Sequence, residues 1–408
     1  MHLWKPGNDS RSQQAIKVPK TTEMDLSYII NILGEDPGTD PNPVSPPIYQ
    51  TSNYYFRTVS EFRTAITNER ENWIYSRGNN PTLNLLCRKL AALEGAEEAL
   101  VFASGMAAIS TAILANIKSG DHVVCVRNPY SWTDTLLNRN ILPKFGVKVT
   151  MVDASDTESV IRAVQPATTL IYLESPNSWT FELQDLEAIG RFAREKGIVT
   201  IIDNSYSTPL NQQPISYGID LVVHTASKYL GGHSDTVAGV CCGSGEMIGK
   251  IFSNEFLTLG GIMSPFNAWL VLRGLRTLPV RMEHTSRSTE SIIRFLSGHP
   301  KIRQVFYPQH PGHPQHDLAI KQMKRGSGLF TVQTLTEDSE AIERFCNSLT
   351  YWRMAVSWGG FESLIIPSCT FVRPGLYTAL PSNLIRFSVG LEEPQSLIND
   401  LEKCLELL

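Results

Sequence analysis

No apolar stretch in this 408-residue sequence approaches the roughly 18 residues that span a bilayer, which excludes a protein built on membrane-crossing helices. The first twenty residues, Met1 to Lys20, carry no apolar h-region, so a secretory signal is not expected. Basic charge is not in excess: 36 Lys and Arg face 40 Asp and Glu, a net charge of −4 with neutral histidines. A protein whose main partner is nucleic acid needs a basic surface to displace counterions, and that class is excluded too. Cysteine is sparse, with seven residues, an odd number, and no C-x-x-C spacing. Neither a disulfide framework nor a zinc ribbon is expected from that pattern. Cys241 and Cys242 lie inside the apolar run Ala238-Gly-Val-Cys-Cys and read as small core hydrophobes. The chain is therefore expected to be reduced and cytoplasmic. Internal repeats and low-complexity blocks are missing as well.

What the sequence does contain is ordinary globular material: 42% apolar, 19% charged and 9% aromatic residues. The length suits two or three domains, or one large α/β domain with an appendage. The first forty-odd residues are polar and broken by Pro and Gly, as in Asp36-Pro-Gly-Thr-Asp-Pro-Asn-Pro, and read as an arm lying over something else. From about Thr82, short β-rich runs alternate with helical patterns: Ala99–Ala103, His122–Val126, Val147–Val152, Thr169–Leu173, Ile198–Ile202, Leu221–His224 and Gly239–Cys242. Continuous apolar runs of this kind suit strands buried on both faces of a mostly parallel sheet. Between them lie amphipathic helices. In one, Leu186, Ile189, Phe192 and Ala193 share a face, with Asp185 placed to cap the start and Gly197 to end it. After Pro265 a long helical region leads into a smaller α+β unit, with strands at Gly328–Thr334 and Leu384–Gly390 and helices at Ser339–Leu349 and Pro394–Leu407. The division expected is an arm over residues 1–64, a large α/β domain over 65–264 and a small α+β domain over 265–408.

Two features carry chemistry. Asp203 closes the run Ile201-Ile-Asp-Asn-Ser, and Lys228 follows 25 residues later in His224-Thr-Ala-Ser-Lys-Tyr-Leu-Gly-Gly-His-Ser-Asp. A carboxylate at the C-terminal end of a parallel strand faces the crevice where α/β sheets bind ligands, and a lysine after the next strand faces the same crevice. Buried Asp and Lys each need a partner. A mutual salt bridge is one reading; the other is a shared cofactor, with Lys228 as its Schiff base and Asp203 on a pyridinium nitrogen. The second feature is the strand Ala99-Leu-Val-Phe-Ala turning through Ser104-Gly105 straight into a helix. Free N–H groups at that helix start would hold a phosphate, and Gly105 lacks the Cβ that would keep it away. With Asp203, Lys228, Thr225 and Ser227, a pyridoxal phosphate site becomes the economical account.

Six motifs in order now resemble the Cys/Met-metabolism (transsulfuration) family of pyridoxal-phosphate enzymes: Ser45-Pro-Pro-Ile-Tyr-Gln-Thr, Tyr75-Ser-Arg77-Gly-Asn-Asn-Pro-Thr, Ser104-Gly-Met106, Asp203-Asn, Ser227-Lys228-Tyr and Leu384-Ile-Arg386-Phe-Ser-Val-Gly-Leu-Glu. The resemblance runs from about Val44 to the C-terminus. It implies the fold-type-I transferase-like architecture, a seven-stranded mostly parallel sheet between helices with a smaller C-terminal α+β domain. It implies that Lys228 holds the cofactor and later takes the Cα proton, while Asp203 keeps the ring nitrogen protonated. Ser104, Gly105, Met106, Thr225 and Ser227 would hold the phosphate, and Tyr130 would stack on the ring and assist proton transfer. Tyr75 and Arg77 match a pair that reaches a neighbouring subunit's phosphate, so at least a dimer and, by family habit, a dimer of dimers is implied. Arg386 matches the guanidinium that clamps the substrate carboxylate.

The sequence departs from the commoner family text at Ser178, where many members carry Asn, and at Trp132, a position that is small or cysteine in many γ-lyases. Ser357-Trp358 in Ser-Trp-Gly-Gly-Phe-Glu-Ser resembles bacterial cystathionine β-lyase, and both residues are expected at the substrate. The reading is a carbon–sulfur lyase that splits an amino-acid substrate, cystathionine, by β-elimination. The alternatives are a γ-acting member (cystathionine γ-synthase, cystathionine or methionine γ-lyase, acylhomoserine sulfhydrylase) or, in another class, a non-catalytic binding subunit. No metal is expected: prolines between His310, His313 and His316 spoil a helical chelate. Gly243-Ser-Gly-Glu-Met-Ile-Gly lacks a full nucleotide fingerprint and reads as a turn.

Overall fold

The computed structural model describes residues 24–35, 43–371 and 380–408. Seven strands form the larger sheet: β1 (Glu98–Phe102), β2 (His122–Val126), β3 (Lys148–Val152), β4 (Thr168–Glu174), β5 (Val199–Asp203), β6 (Leu221–Thr225) and β7 (Gly239–Gly243), in spatial order β1-β7-β6-β5-β4-β2-β3. From β3 to β6 every neighbouring pair is parallel, as the continuous apolar runs predict. β7 is the exception, antiparallel to both β6 and β1. It follows β6 without a crossover helix, and an antiparallel return needs none. Alternate residues of one strand feed different cores. Leu100 and Phe102 join Ile109, Ile113 and Phe252 on one face, while Val101 joins Leu86, Leu90 and Val240 on the other.

The helices begin and end where local chemistry dictates. Asp185 accepts from Ala188 N at 3.0 Å to open the helix Leu186–Lys196, and Gly197, at φ +65°, closes it. The smaller sheet holds β8 (Ile302–Phe306), β9 (Leu329–Thr334), β10 (Arg353–Met354), β11 (Leu364–Pro367) and β12 (Leu384–Ser388), ordered β10-β11-β12-β9-β8. The sequence reading located β9 and β12 and passed over the other three. β8 has only one fully buried residue and β10 has only two residues, so neither shows a strong apolar pattern.

The helix Pro265–Ser297 joins the two sheets over 33 residues, about 50 Å at 1.5 Å per residue. Val271, Leu272 and Leu275 lie in the core of the larger sheet, whereas Ile292, Ile293 and Leu296 lie in that of the smaller. The expected arm falls partly on residues 1–23 and 36–42, outside the described residues. Its described piece, the helix Leu26–Asn31, packs on its own chain: buried Lys89 donates to the Ile29 and Ile30 carbonyls at 2.8 Å and pairs with Glu35 at 3.0 Å.

Candidate active site

At the C-terminal edge of the larger sheet, Asp203 ends β5 and Lys228 follows β6, bordering one cleft. Among the described residues they form no ion pair. Asp203 instead accepts from Ser205 N at 2.9 Å, and Lys228 Nζ donates to the Ser357 hydroxyl. The salt-bridge reading therefore fails, and the cleft holds a buried carboxylate with no cation in contact. Burial raises the Asp203 carboxyl, opposed by the Ser205 hydrogen bonds and by His224 and Lys228. Burial, with Arg386 nearby, brings the Lys228 amine down to about 8, so its neutral fraction at neutral pH is about a tenth, far above that of an ordinary lysine.

Ser104 and Gly105 shape the phosphate end. Ser104 caps the helix Gly105–Leu114 by accepting from Ala107 N at 3.1 Å, and its carbonyl takes Ala108 N at 3.2 Å. The Gly105 and Met106 N–H groups remain at the open end of that helix, a place suited to an anion. Gly105 has a packing reason beside the expected one. A Cβ there would come within 2.6 Å of Thr225 Cβ, so its absence admits the Thr225 side chain from β6. Gly239 on β7 does the same from the other side, where a Cβ would run into the Ser104 carbonyl. The Ser227 hydroxyl is held to the backbone of Ala238, accepting at 2.9 Å and donating at 3.3 Å.

Tyr130 is 42% exposed and precedes a short helix at Ser131–Asp134. Its backbone N–H donates to Glu174 at 2.7 Å. Burial, then Asp203 and Glu174, raises its phenol above the ordinary value, so the group stays protonated and can serve as a donor.

The opposite wall comes from the second half of the chain. Arg386, on β12, is buried, and its one hydrogen bond among the described residues runs from Nη1 to the Ser178 carbonyl at 3.1 Å. Burial brings its guanidinium down to about 10. Ser357 adopts φ +90°, rare for a residue with a side chain, and this places its hydroxyl on Lys228. Buried Trp358 packs against Tyr229 at 5.4 Å, with Lys228 Nζ 5.3 Å from its ring centre.

The structure brings most of the expected residues to this cleft. Tyr75 and Arg77 are exposed side chains, the guanidinium 5.5 Å from the tyrosine ring, and they make no contact with Lys228. Trp132 is 60% exposed, two residues beyond Tyr130. The three histidines of the 310–316 loop each bond locally: Nδ1 of His310 accepts from Gly312 N, Nδ1 of His313 from Gln315 N, and Nδ1 of His316 lies 3.3 Å from the Pro308 carbonyl. Ser244, in the glycine-rich stretch, caps the helix Gly245–Ile251.

Three residues escaped the sequence reading. Glu174, at the end of β4 in register with Asp203, is pushed up to about 8 by burial and by that neighbouring carboxylate. Its position at a parallel strand's C-terminal end, the argument applied to Asp203, could have found it. Trp179 lies with its ring 4.8 Å from the Arg386 guanidinium carbon. Arg281 donates to the carbonyls of Tyr229 and Gly274, both at 2.8 Å, and so ties the long helix to the lysine loop.

Pyridoxal phosphate fits these groups. Free helix N–H groups would suit its phosphate, a buried carboxylate its ring nitrogen, and a lysine of lowered pKa its carbonyl carbon. A family model described as Cys/Met metabolism PLP-dependent enzyme matches residues 30–406. L-methionine gamma-lyase of Fusobacterium nucleatum subsp. nucleatum is 37% identical over 372 residues, 88% of this chain and 93% of that protein. A probable cystathionine gamma-synthase of Herpetosiphon aurantiacus is 41% identical over 299 residues, 73% of this chain and 91% of that protein. The solved structure of metB from Corynebacterium glutamicum superposes with a TM-score of 0.88 at 32% identity, covering 95% of this chain and 99% of that one.

Proposed function

The chain belongs to the Cys/Met-metabolism family of pyridoxal-phosphate-dependent enzymes, and from that premise we propose that it acts at the γ-carbon of a sulfur-containing amino acid. The relatives named above as a methionine γ-lyase and a probable cystathionine γ-synthase support γ chemistry over the expected β-elimination. The observation that carries the substrate class is Arg386, a buried guanidinium beside Lys228 that forms no salt bridge among the described residues, with the Glu174 charge acting on it only from beyond contact. An amino acid supplies the missing anion.

Bound pyridoxal phosphate supplies the electron sink that stabilises negative charge at the substrate Cα. Arg386 fixes the carboxylate, and so fixes which bond at Cα faces Lys228. Lys228, as a free amine, would take the Cα proton and, in a γ reaction, carry protons between Cα, Cβ and Cγ. The Ser357 hydroxyl restrains its amine, and Tyr130 donates a proton toward the leaving sulfur. Thr225, Ser227 and the N–H groups of Gly105 and Met106 hold the phosphate, and Asp203 the ring nitrogen.

A second reading, β-elimination of cystathionine, is favoured by Trp358 packed beside the lysine, within the segment that resembles the β-lyase. Incubation with methionine and with cystathionine, followed by separation of the keto acids, decides between them. Dominant 2-oxobutyrate supports γ-elimination and dominant pyruvate the β route. No keto acid from either substrate, together with formation of a thioether amino acid and release of the acyl group as its free acid when an acylhomoserine and a thiol are supplied, indicates γ-replacement.

Tyr75 and Arg77 are read as completing the phosphate site of a second copy of the chain, in a dimer of dimers. Exposed Tyr55, Phe62, Ile66 and Trp73 give such a copy apolar surface to cover. Mixing Arg77→Ala with Lys228→Ala subunits should restore activity that neither homogeneous variant has. Its absence after verified subunit exchange would sink the shared site. No helix among the described residues is long and apolar enough to cross a membrane. The cytoplasmic placement remains our reading, in keeping with seven free cysteines.

A further inference from the structure

Among the described residues the Arg386 guanidinium makes one hydrogen bond, to the Ser178 carbonyl, and a single bond to one nitrogen does not set the tilt of a guanidinium plane. The Trp179 ring, centred 4.8 Å from the guanidinium carbon, covers that plane. The indole is itself supported: Phe371 meets it edge-on at 6.0 Å with planes at 90°. The loop that carries it is fixed by the buried Asn177, whose Oδ1 accepts from the backbone N–H groups of Trp179, Thr180 and Phe181 at 3.1, 2.9 and 3.0 Å. Ser178 and Trp179 thus present a carbonyl and a π face to the same arginine from adjacent positions of one braced turn.

We propose that Trp179 is a positioning residue for substrate recognition, its indole holding the Arg386 guanidinium at the tilt that two-point binding of an α-carboxylate requires. The inference rests on the reading of Arg386 as the carboxylate clamp. Bidentate pairing needs the fork and the carboxylate nearly coplanar, so a guanidinium free to rock loses one of two bonds. A cation–π contact sheltered from water is strong enough to hold that plane.

The test compares two unreactive ligands that differ only in the carboxylate, L-norleucine and n-pentylamine, with binding to the holoenzyme measured by calorimetry and by the change in cofactor absorbance. The ratio of their affinities reports carboxylate recognition alone. In Trp179→Leu and Trp179→Met that ratio should fall about tenfold, with pentylamine affinity unchanged. In Trp179→Phe and Trp179→Tyr, which keep a π face, it should stay within about threefold of the parent. Melting curves establish folding for each variant, and Met, which keeps bulk without a π face, covers the case of a Leu variant that does not fold. Arg386→Ala is the control for the underlying reading, and its ratio should collapse by about a hundredfold. A ratio unmoved in the Leu and Met variants but collapsed in Arg386→Ala overturns the role of Trp179 and leaves the clamp standing. Equal weakening of both ligands shows a merely structural tryptophan and overturns it too. A ratio unmoved in Arg386→Ala overturns the clamp, and the inference with it.

Discussion

Where the larger sheet meets the cleft, it offers backbone N–H groups and short hydroxyls packed against glycine. On the opposite side the groups are a long cation and two indoles, Arg386 and Trp358 from the second half of the chain and Trp179 from the loop after β4. The first wall is assembled from turns only a few residues long, at Ser104–Met106 and Thr225–Lys228. The second joins residues as far apart as Ser178 and Arg386, 208 positions distant. A wall of main chain leaves little room for variation, because its groups are common to every residue type. A wall of side chains can be re-specified one substitution at a time, which would suit the proposed role of this half in selecting the amino-acid substrate.

The sharpest way to break this contrast is Lys228→Ala, the residue on which both walls depend. Turnover should fall by about a thousandfold or more, as expected on losing a general base with a further binding role. The cofactor should nevertheless stay with the protein through gel filtration, read by its absorbance. Its loss would show that the main-chain wall does not hold the phosphate unaided. Arg386→Lys should lower kcat/KM by about 30- to 100-fold, most of it in KM, since an ammonium cannot replace the two-pronged fork. Equilibrium dialysis should find cofactor affinity unchanged. A matching fall in that affinity would mean that the two walls are not separable.

Gly105→Val probes the other side. With its Cβ set against Thr225, it should cost about 1–3 kcal/mol of stability and weaken cofactor binding about tenfold. Unaltered cofactor affinity would remove the glycine from the cradle.

The mildest effect is on pH. Burial lowers the Lys228 amine from 10.5 to about 8, so the cofactor-free protein should capture pyridoxal phosphate faster as pH rises, levelling off above about 8. Because the folded value is the lower one, the unfolded chain binds more protons between about 8 and 10.5, and stability of the cofactor-free protein should climb across that window. Stopped-flow capture rates that are flat from pH 6.5 to 9 would refute the neutral-amine argument.

The same contrast decides what could be read from the sequence. Asp203, Lys228 and Ser104-Gly105 were legible because each lies at the end of a short apolar run whose periodicity announces a strand. Most strands of the larger sheet were legible for the same reason, burial on both faces, while β3 at the sheet edge is only partly buried. Trp179 and Arg281 were not legible, because their importance lies in partners that only the fold supplies: Arg386 on β12 and the Tyr229 carbonyl beneath a helix. Gly105 has a second reason that the sequence did not show. A tight strand-to-helix turn suggests ligand approach, and only coordinates reveal that Thr225 takes the space.

The helix Pro265–Ser297 has a bearing on recombination between relatives. Its first half belongs to one hydrophobic core and its last turns to the other, and Arg281 near its middle braces the lysine loop. A crossover placed before Pro265 gives a chimaera whose large sheet receives a foreign buttress, and one placed after Ser297 gives the small sheet the same problem. Shuffling libraries in which this rod and both its seatings descend from one parent should therefore retain more folded members than libraries cut at either end.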